Sequence, residues 1–534
     1  MTTFYRILGL LAAATLAQAD PKIAKDLEGP DHTRAVDVII QFTHAPGDAD
    51  DAKVRSHGGQ LKQSLRLVNA GLYSIPPGQL KKLAEDPDVM YISPDRRVNA
   101  SLDYARPTVG ADVASSSGWT GKDIGVAVID SGVSSPPDLV KSIVYSQSFN
   151  GFRTDEVYGH GSHVAGIIAG IGKESSGQYK GIAPGAKIIN LRVLDDNGVG
   201  TDSAVIAAID RAIQLKSTYN IRVINLSLGR PVVESYTLDP LCQAVERAWN
   251  AGIVVVVAAG NNGRDNSMGT QGYGTIGSPG NDPYVITVGA MKTASTLSRN
   301  DDLIASYSSK GPTGIDHVVK PDIVAPGNRT VSVSTKGTSL LEKVYESNKV
   351  GAAYFKLSGT SMAAPMVSGA VAVLLHKQPG LTPDQVKARL MKTASKSFPT
   401  SSVATDPVTG QTYTSNYDIF TVGAGYLDIP AALNNTDVAA GSAKSPSAVF
   451  DASTNTVSLV FGQGATWGTG VTWGTGVIWG TGVVWGTGVC WGTGVVWGTG
   501  GSPSGTGVVW GTGVVWGTGN PQGESASIAI NGEN

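Results

Sequence analysis

Four runs of β-branched and aliphatic residues alternate with two segments of helical periodicity between residues 120 and 260. The runs are GVAVI (125–129), KIINLRVL (187–194), RVINLSL (222–228) and GIVVVVAA (252–259). Between them lie AVIAAIDRAIQL (204–215) and LCQAVERAWNAG (241–252). Strands that are apolar on both faces and separated by helices form parallel sheets covered on both sides. The sequence therefore predicts a three-layer α/β domain, with functional groups at the C-terminal ends of its strands.

A smaller block precedes this domain. VDVIIQF (36–42), AGLYSIP (70–76) and DVMYISPDRRV (88–98) are typical of strands, and QLKKLAEDP (79–87) is typical of a short helix. With 534 residues the chain exceeds one ordinary core, so a separate folding unit is expected. We predict a small α+β domain here.

A regular repeat occupies the C-terminal part. The unit WGTGVV recurs with tryptophan at 467, 473, 479, 485, 491 and 497, and again at 510 and 516. Because the step of six is even, an extended strand would place every tryptophan on one face. The repeat indicates either a β-roll of stacked turns or a glycine-rich disordered tail, and composition does not decide between them.

The N-terminus has the composition of a secretory signal peptide. Arg6 is followed by an apolar run at 7–16 and by the small-residue pattern Ala-Gln-Ala at 17–19. We expect cleavage after Ala19 and a protein that is secreted, either extracellular or in the cell envelope. The alternative is a buried N-terminal helix. No later stretch of uninterrupted apolar residues is long enough to span a bilayer.

Charge and cysteine content exclude several classes of protein. The formal net charge is −2, from 41 basic and 43 acidic residues, so the charge of the chain gives no reason to expect binding to nucleic acid or to an anionic membrane. The two cysteines, Cys242 and Cys490, cannot form a disulfide framework or a zinc cluster.

One polar motif stands out in the segment YFKLSGTSMAAPMVSGAVAVLL (354–375), which otherwise resembles a buried helix. Gly359-Thr360-Ser361 lies at its head, where a helix directs free N–H groups outward. A serine in this position is most often only an N-cap. Its surroundings must decide whether it is also a nucleophile.

Three further motifs supply partners for Ser361. GVAVIDSGV ends a buried strand at Asp130, YGHGSHVAGIIAG begins a helix near His160 and His163, and VVVVAAGNNG ends a strand at Asn261. Asp, His and Ser in this chain order can form the acyl-transfer triad. Taken singly, the residues could be a turn cap, a core histidine and a left-handed turn.

The chemistry of acyl transfer requires these residue types. A serine hydroxyl is a weak nucleophile, so an imidazole must accept its proton and a carboxylate must hold that imidazole in the correct tautomer. The attacked carbonyl oxygen becomes anionic and needs fixed donors, which an amide such as that of Asn261 and the Ser361 N–H would provide.

The motifs AVIDSG, HGSHVAG, AAGN and GTSMAAP resemble the four signatures of the subtilases, the subtilisin-like serine proteases of peptidase family S8, and more narrowly the proteinase K branch. GVGT (198–201), NLSLG (225–229) and KPDIVAPG (320–327) agree as well, and the resemblance covers roughly residues 120–435.

The resemblance implies a role for each residue. Asp130 would orient the imidazole, His160 would be the general base and acid, Ser361 the nucleophile and Asn261 the oxyanion donor, while His163 matches the second, structural histidine. The substrate cleft would be lined by two backbone segments that pair with an extended peptide. These segments are Ser227, Leu228 and Gly229, and Gly198, Val199 and Gly200.

The resemblance also implies a domain order. Residues 36–98 resemble the inhibitor I9-type propeptide, which occupies the cleft until self-cleavage near 98–105. The predicted order is a signal peptide (1–19), a propeptide (20–100), the peptidase domain (101–440), a linker (441–460) and the repeat tail (461–534). Within the linker, GSAKSPSAV (441–449) is predicted to be an exposed cleavage region. A plain structural domain is the alternative for the propeptide.

Metal content stays open. The triad requires no cofactor, but calcium commonly stabilises the family and Asp138 aligns with a carboxylate that often binds it. The segment KESSGQYKG (173–181) lacks the expected Asn-rich ligand loop. Arg230 stands where many relatives have a small residue; it could alter the rim of the cleft, but we interpret it as a solvated surface charge.

The predicted function is a secreted, self-processing serine endopeptidase that acts on protein or peptide substrates and is inhibited by its own propeptide. An α/β-hydrolase esterase is excluded because it needs G-x-S-x-G and a later catalytic histidine, whereas only His376 follows Ser361. The other alternative is a surface-binding or scaffold protein whose aromatic tail contacts a cell surface or glycan.

Overall fold

The structure is a computed structural model that describes residues 22–24, 27, 35–65, 69–94, 104–406, 410–451, 456–461, 495–497, 508–510 and 533. The chain divides into two compact units, Met1–Ala100 and Ser101–Asn534. The predicted signal peptide, residues 98–103 of the predicted cleavage region and most of the repeat lie outside the described residues. Among the helices that are described, none has the length and apolar character needed to cross a lipid bilayer.

The smaller unit is an antiparallel sheet with two helices. Its elements are β1 (Val36–Phe42), α1 (Asp48–Ser56), β2 (Gln60–Leu65), β3 (Ala70–Ile75), α2 (Leu80–Ala84) and β4 (Val89–Pro94). The strand order is β2-β3-β1-β4. Val38, Ile40 and Phe42 alternate along β1 into the core of this unit, as the period of a half-buried strand requires.

The larger unit contains the remaining elements. In chain order they are α3 (Ala105–Thr108), α4 (Ala111–Ser116), β5 (Gly125–Asp130), β6 (Ile143–Ser148), α5 (His160–Ala169), β7 (Lys187–Arg192), α6 (Asp202–Gln214), α7 (Lys216–Tyr219), β8 (Ile221–Leu226), α8 (Pro240–Asn250), β9 (Val254–Ala258), β10 (Ile286–Lys292), β11 (Leu303–Ile304), β12 (Ile323–Pro326), β13 (Thr330–Val333), α9 (Leu340–Val344), β14 (Lys349–Val350), β15 (Tyr354–Leu357), α10 (Thr360–Lys377), α11 (Pro383–Thr393), β16 (Ser401–Thr405), β17 (Thr412–Asn416), α12 (Ile429–Asn434), β18 (Ser447–Asp451), β19 (Thr456–Val460), β20 (Val495–Trp497) and β21 (Val508–Trp510).

A mainly parallel sheet forms the centre of this unit. Its order is β11-β10-β9-β8-β5-β7-β6, with β12 also paired to β10. All of these pairs are parallel except β10 with β11. From β5 the chain passes to β6 at one edge, returns to β7, and then crosses to β8 on the other side of β5. The ends of β5 and β8 therefore lie at a topological switch point, where open α/β sheets place their sites.

Helices cover both faces of the sheet, which confirms the predicted α/β architecture. Helix α10 packs with α5, and α6 packs with α8, each pair also lying against the sheet. Every residue of β5 is buried. The Thr201 hydroxyl caps α6 by accepting the N–H of Ala204. Asp239 caps α8 by accepting the N–H of Leu241, and Pro240 is the first residue of that helix.

The segment 354–375 is a strand followed by a helix. Tyr354–Leu357 forms β15, and α10 begins only at Thr360. Between them Gly359 has φ of +144°, a conformation that residues with a side chain rarely adopt. This glycine turns the chain so that Ser361 enters the first turn of the helix.

The predicted linker at 441–460 carries a packed hairpin. Strands β18 and β19 pair, and Phe461 packs against a second hydrophobic cluster that contains Ile304 and Tyr417. Ala443 and Ala448 are buried. The prediction of an exposed cleavage region at 441–449 is therefore wrong, because small apolar residues of this segment pack into the second hydrophobic cluster of the larger unit.

Three residues from each of two repeat units of the tail are described. Val495–Trp497 pairs in parallel with Val508–Trp510, and Trp497 lies opposite Trp510. This in-register pairing is the arrangement that stacked turns would have. The other repeat units lie outside the described residues, so the choice between a β-roll and disorder stays a prediction for them.

Candidate active site

Three polar residues follow the C-terminal ends of neighbouring strands. Asp130 is the last residue of β5, Ser227 follows β8 directly, and Asn261 lies just beyond β9. These strands are adjacent and parallel, so their ends share one edge of the sheet. The topology thus brings together motifs that are far apart in the sequence.

Asp130 and His160 form a hydrogen-bonded pair. Nδ1 of His160, the first residue of α5, lies 2.7 Å from Oδ1 of Asp130. The carboxylate is 1% exposed and the imidazole 17%. A proton on Nδ1 bound to the carboxylate leaves Nε2 as an acceptor, which is the tautomer that a general base needs.

A buried glutamate holds the loop before His160. Oε1 of Glu156 accepts the N–H of Gly159 at 2.7 Å, and Oε2 accepts the N–H of Ser162 at 2.8 Å. The Ser131 hydroxyl donates to Oε2 at 3.2 Å and itself accepts the Gly161 N–H at 3.0 Å. The carboxylate therefore caps the first turn of α5 and fixes where His160 begins. Sequence reasoning missed Glu156, whose only signal is its position four residues before the histidine.

Opposing effects set the proton affinity of His160. Burial alone would lower the pKa of the imidazole, but the charge and hydrogen bond of Asp130, helped by Glu156, outweigh it and raise the pKa above the ordinary 6.5. Burial raises the pKa of Glu156, and the nearby Asp130 charge adds to this effect. The site stabilises a protonated imidazole beside a buried anion.

His163 is held differently. Its side chain is fully buried, and Nε2 lies 3.0 Å from the carbonyl oxygen of Phe355 and 3.2 Å from that of Thr330. Burial, and then the proximity of His160, lower its pKa to about 3. A neutral imidazole that donates to two backbone carbonyls fastens α5 to β13 and β15, which is a structural role.

Ser361 is the second residue of α10, at the same sheet edge. Its hydroxyl donates to the carbonyl oxygen of Ser227 at 3.2 Å, and its own carbonyl accepts the Ser227 hydroxyl at 2.8 Å. Among the described residues, Ser361 and His160 share no hydrogen bond in this conformation. Such bonds are often long or misaligned without substrate, and a rotation about one bond redirects the hydroxyl.

Asn261 faces the start of α10. Its Oδ1 accepts the N–H of Thr360 at 2.9 Å and the Thr360 hydroxyl at 3.1 Å. That hydroxyl in turn accepts the N–H of Gly260 at 3.1 Å. Because the amide oxygen must face these donors, the Nδ2 group is directed away from them. The sequence did not indicate the role of Thr360, which orients this amide by donating two hydrogen bonds to its oxygen.

The segment Gly198–Gly200 lies near the histidine. A side chain at Gly198 would meet the ring of Tyr158 at 2.7 Å, and that ring lies 6.5 Å from the ring of His160. The neighbouring Val199 is 62% exposed, and Asp195 holds its N–H at 2.9 Å. Asp195 also donates its N–H to the Val199 carbonyl oxygen at 2.7 Å, so the exposed glycine of this segment is Gly200.

The segment Ser227–Gly229 lies next to Ser361, with which Ser227 shares two hydrogen bonds. Ser227 is buried and Leu228 packs against the main core, while Gly229 is exposed. Arg230 then pairs through its backbone with Ser278.

Arg230 is not the solvated surface charge that the sequence suggested. Its Nε lies 3.0 and 2.9 Å from the two carboxylate oxygens of Asp202, and its Nη2 lies 2.8 Å from Asp239. Asp202 opens α6 directly after Gly200 and Thr201, so this ion pair ties the two candidate cleft segments together.

Asp138, the candidate calcium ligand, is hydrogen-bonded to groups of the protein. One carboxylate oxygen accepts the hydroxyl of Tyr354 at 2.7 Å and the other accepts the N–H of Glu174 at 3.2 Å. The part of the chain that the structure describes contains no group of three or more His, Cys, Asp or Glu residues that could hold a metal ion.

Comparisons with known proteins agree with this geometry. Residues 121–426 match the subtilase family, Peptidase S8. Serine protease AprX of Bacillus subtilis is 38% identical over 372 residues, which cover 67% of this chain and 82% of AprX. Subtilisin E of the same organism is 35% identical over 367 residues, covering 67% of this chain and 84% of the relative.

The solved structure of sphericase is also similar, with 28% identity, a TM-score of 0.45, and coverage of 58% of this chain and 92% of that one. The narrower resemblance to the proteinase K branch and to the I9-type propeptide stays a prediction. The match across the catalytic unit and the two relatives show that this chain belongs to the subtilase family and is a subtilisin-like serine endopeptidase, whose substrates are peptides.

Proposed function

We propose that the chain is a secreted, self-processing endopeptidase in which Asp130, His160 and Ser361 form the catalytic triad and Asn261 donates to the oxyanion. The observation that carries this proposal is the bond of 2.7 Å between buried Asp130 and His160. It lies at the same sheet edge as a serine in the first turn of α10.

Acylation begins with a rotation of the Ser361 hydroxyl from the Ser227 carbonyl toward Nε2 of His160. The imidazole accepts the proton as Oγ bonds to the scissile carbonyl carbon. Asp130 stabilises the resulting imidazolium, in agreement with the raised pKa of His160. The imidazolium then protonates the leaving amine, and water repeats the sequence in reverse to release the acid.

Two donors await the anionic oxygen of the tetrahedral intermediate. Thr360 fixes the amide of Asn261 through its oxygen, so that Nδ2 is left for the substrate. The N–H of Ser361 belongs to the first turn of α10, whose N–H groups have no intrahelical acceptor. Donors fixed before the reaction stabilise developing charge without reorganisation.

An extended peptide would lie between the two backbone segments, Gly198–Gly200 and Ser227–Gly229. The exposed glycines of the two segments, Gly200 and Gly229, offer backbone groups for pairing with the substrate as an added strand. The Arg230–Asp202 ion pair supports this arrangement by holding the segments at a fixed separation.

The precursor would carry a signal peptide at 1–19 and an inhibitory propeptide at 20–100. The compact α+β unit within Met1–Ala100 supports a separately folded propeptide. The proposed chemistry uses only side chains and backbone of the chain, so no cofactor is required for catalysis.

Intact mass spectrometry tests self-processing. Wild type and Ser361→Ala, both expressed from residue 20, are incubated at neutral pH. We expect wild type to lose the residues up to about 100 while the variant keeps them. Two full-length, folded proteins would contradict the proposal. Processing of the variant at the wild-type rate would assign the cut to another protease.

A further inference from the structure

Glu533 lies in a polar pocket of the larger unit. Its side chain is 5% exposed. Glutamate is almost never buried unless it is paired. The burial of this carboxylate therefore needs specific partners.

The carboxylate has such partners. Oε1 lies 2.9 Å from the guanidinium Nη2 of Arg264 and accepts the backbone N–H of Ser306 at 2.9 Å. The hydroxyl of Ser306 also donates to Oε1. Nζ of Lys292 lies 3.7 Å from Oε2. Two cations and two donors of the folded unit thus surround one carboxylate group.

The backbone of Glu533 is bound as well. Its N–H donates to Oδ1 of Asn328 at 2.8 Å, and its carbonyl oxygen accepts Nδ2 of the same side chain at 2.9 Å. A side-chain amide that pairs with both backbone groups of one residue imitates a strand partner. This contact recognises a peptide segment, whereas the arginine and serine recognise the carboxylate.

The pocket belongs to the folded core. Arg264 is 6% exposed, and its Nη1 and Nε groups lie 2.6 Å from Asp406 and 2.7 Å from the Ser306 hydroxyl. Its guanidinium carbon lies 4.7 Å from the centre of the Tyr413 ring. These contacts orient the guanidinium independently of Glu533, so the donor facing the carboxylate is preorganised.

We propose that Arg264, Ser306 and Asn328 form a binding site for an acidic peptide segment, and that its ligand is Glu533 of the same chain. Phe461 packs against the cluster that contains Ile304, two residues before Ser306. Phe461 and Glu533 of the same chain therefore both contact the larger unit. This arrangement gives Glu533 a high effective concentration at its site.

Hydrogen–deuterium exchange of the full chain tests the site, with Ser361→Ala present in every sample to prevent self-digestion. The variant Glu533→Ala removes the acceptor of the Ser306 N–H, so this amide should exchange at least about tenfold faster. Glu524→Ala is the matched control, because it removes the same side chain from the same terminal segment. In this control the Ser306 amide should exchange at the same rate as in the Ser361→Ala parent.

A second variant excludes an effect of the alanine itself. Deletion of residues 533 and 534 should accelerate exchange at Ser306 as much as Glu533→Ala does. Unchanged exchange in both variants would overturn the site, and so would equal acceleration in the Glu524→Ala control. None of these readouts depends on proteolytic activity.

Sedimentation equilibrium identifies which chain supplies the glutamate. We expect a monomer at every concentration at which Ser306 is protected. A dimer that Glu533→Ala dissociates would assign the ligand to a second copy and overturn the same-chain proposal.

Discussion

Nδ1 of His160 lies 2.7 Å from Oδ1 of Asp130, and the same oxygen accepts the N–H of Ser131 at 2.8 Å. Within the described residues, the second carboxylate oxygen of Asp130 is buried and has no hydrogen-bond partner. Oδ1 thus accepts all the hydrogen bonds that the described residues donate to this buried carboxylate. The orientation of the imidazole depends on it.

Replacement of that carboxylate by an amide should inactivate the enzyme without unfolding it. In Asp130→Asn the amide can present an N–H to Nδ1 and favour the wrong tautomer, so kcat should fall on the order of 10⁴-fold with little change in KM. Asp123→Asn, on an exposed carboxylate, is the control. Steady-state hydrolysis of a peptide substrate measures both constants, and wild-type kcat in Asp130→Asn would contradict the assignment.

The pH profile should report the raised pKa of His160. The imidazole must be neutral to accept a proton, so kcat/KM should rise with pH through a midpoint above 6.5. His163, with a pKa of about 3, stays neutral across this range and adds no inflection. A midpoint at or below 6.5 would show that the fall of kcat/KM at low pH is set by a group other than His160.

Glu156 should act as a positioning residue. In Glu156→Gln an NH₂ group replaces one of the two oxygens that accept the N–H groups of Gly159 and Ser162. The start of α5 and with it His160 should therefore shift, and kcat should fall on the order of 10–10²-fold. Loss of the negative charge should also move the midpoint of the pH profile downward, since that charge raises the pKa of His160. A merely structural residue would not move this midpoint. Glu346→Gln, whose carboxylate is 76% exposed, should change neither value.

Loss of the oxyanion donor should lower kcat selectively. Asn261→Ala should reduce kcat about 10²–10³-fold, the size measured for the corresponding asparagine of subtilisin, and leave KM nearly unchanged. Asn300→Ala, at an exposed position, is the control. A rise in KM with constant kcat would instead assign Asn261 to substrate binding.

Arg230 should stabilise the fold as well as the cleft. In Arg230→Met the buried Asp239 loses its cationic partner, which should lower the free energy of unfolding by about 1–3 kcal/mol. Denaturant titration in the Ser361→Ala background measures this change. Arg153→Met, on a side chain that is 86% exposed, should be neutral. Equal stability of both variants would mean that the ion pair contributes nothing.

Much of this architecture follows from local sequence. The apolar runs ending at Asp130 and near Asn261 are strands because they are buried on both faces, and their bounds agree with the structure within a few residues. The exposed strand Gln60–Leu65 was not predicted, because QLKQSL has no apolar alternation. Periodicity detects burial, so strands without a buried face give no signal.

The motif residues of the site were predictable, but their supporting contacts were not. Asp130, His160, Asn261 and Ser361 occur in long signatures. Arg230 was misjudged because its partners, Asp202 and Asp239, are brought to it only by the tertiary fold. Glu533 could not be predicted as a buried ligand, since a lone acidic residue outside any motif is normally solvated.

Covalent labelling tests the central claim that Ser361 is the nucleophile. Folded protein is treated with phenylmethanesulfonyl fluoride, which sulfonylates activated serine hydroxyls, and digested for tandem mass spectrometry. We expect one adduct, on Ser361, that appears as peptide hydrolysis is lost and is absent from Asp130→Asn treated for the same time. An inactivated enzyme with the adduct on another serine, and Ser361 unmodified, would contradict it.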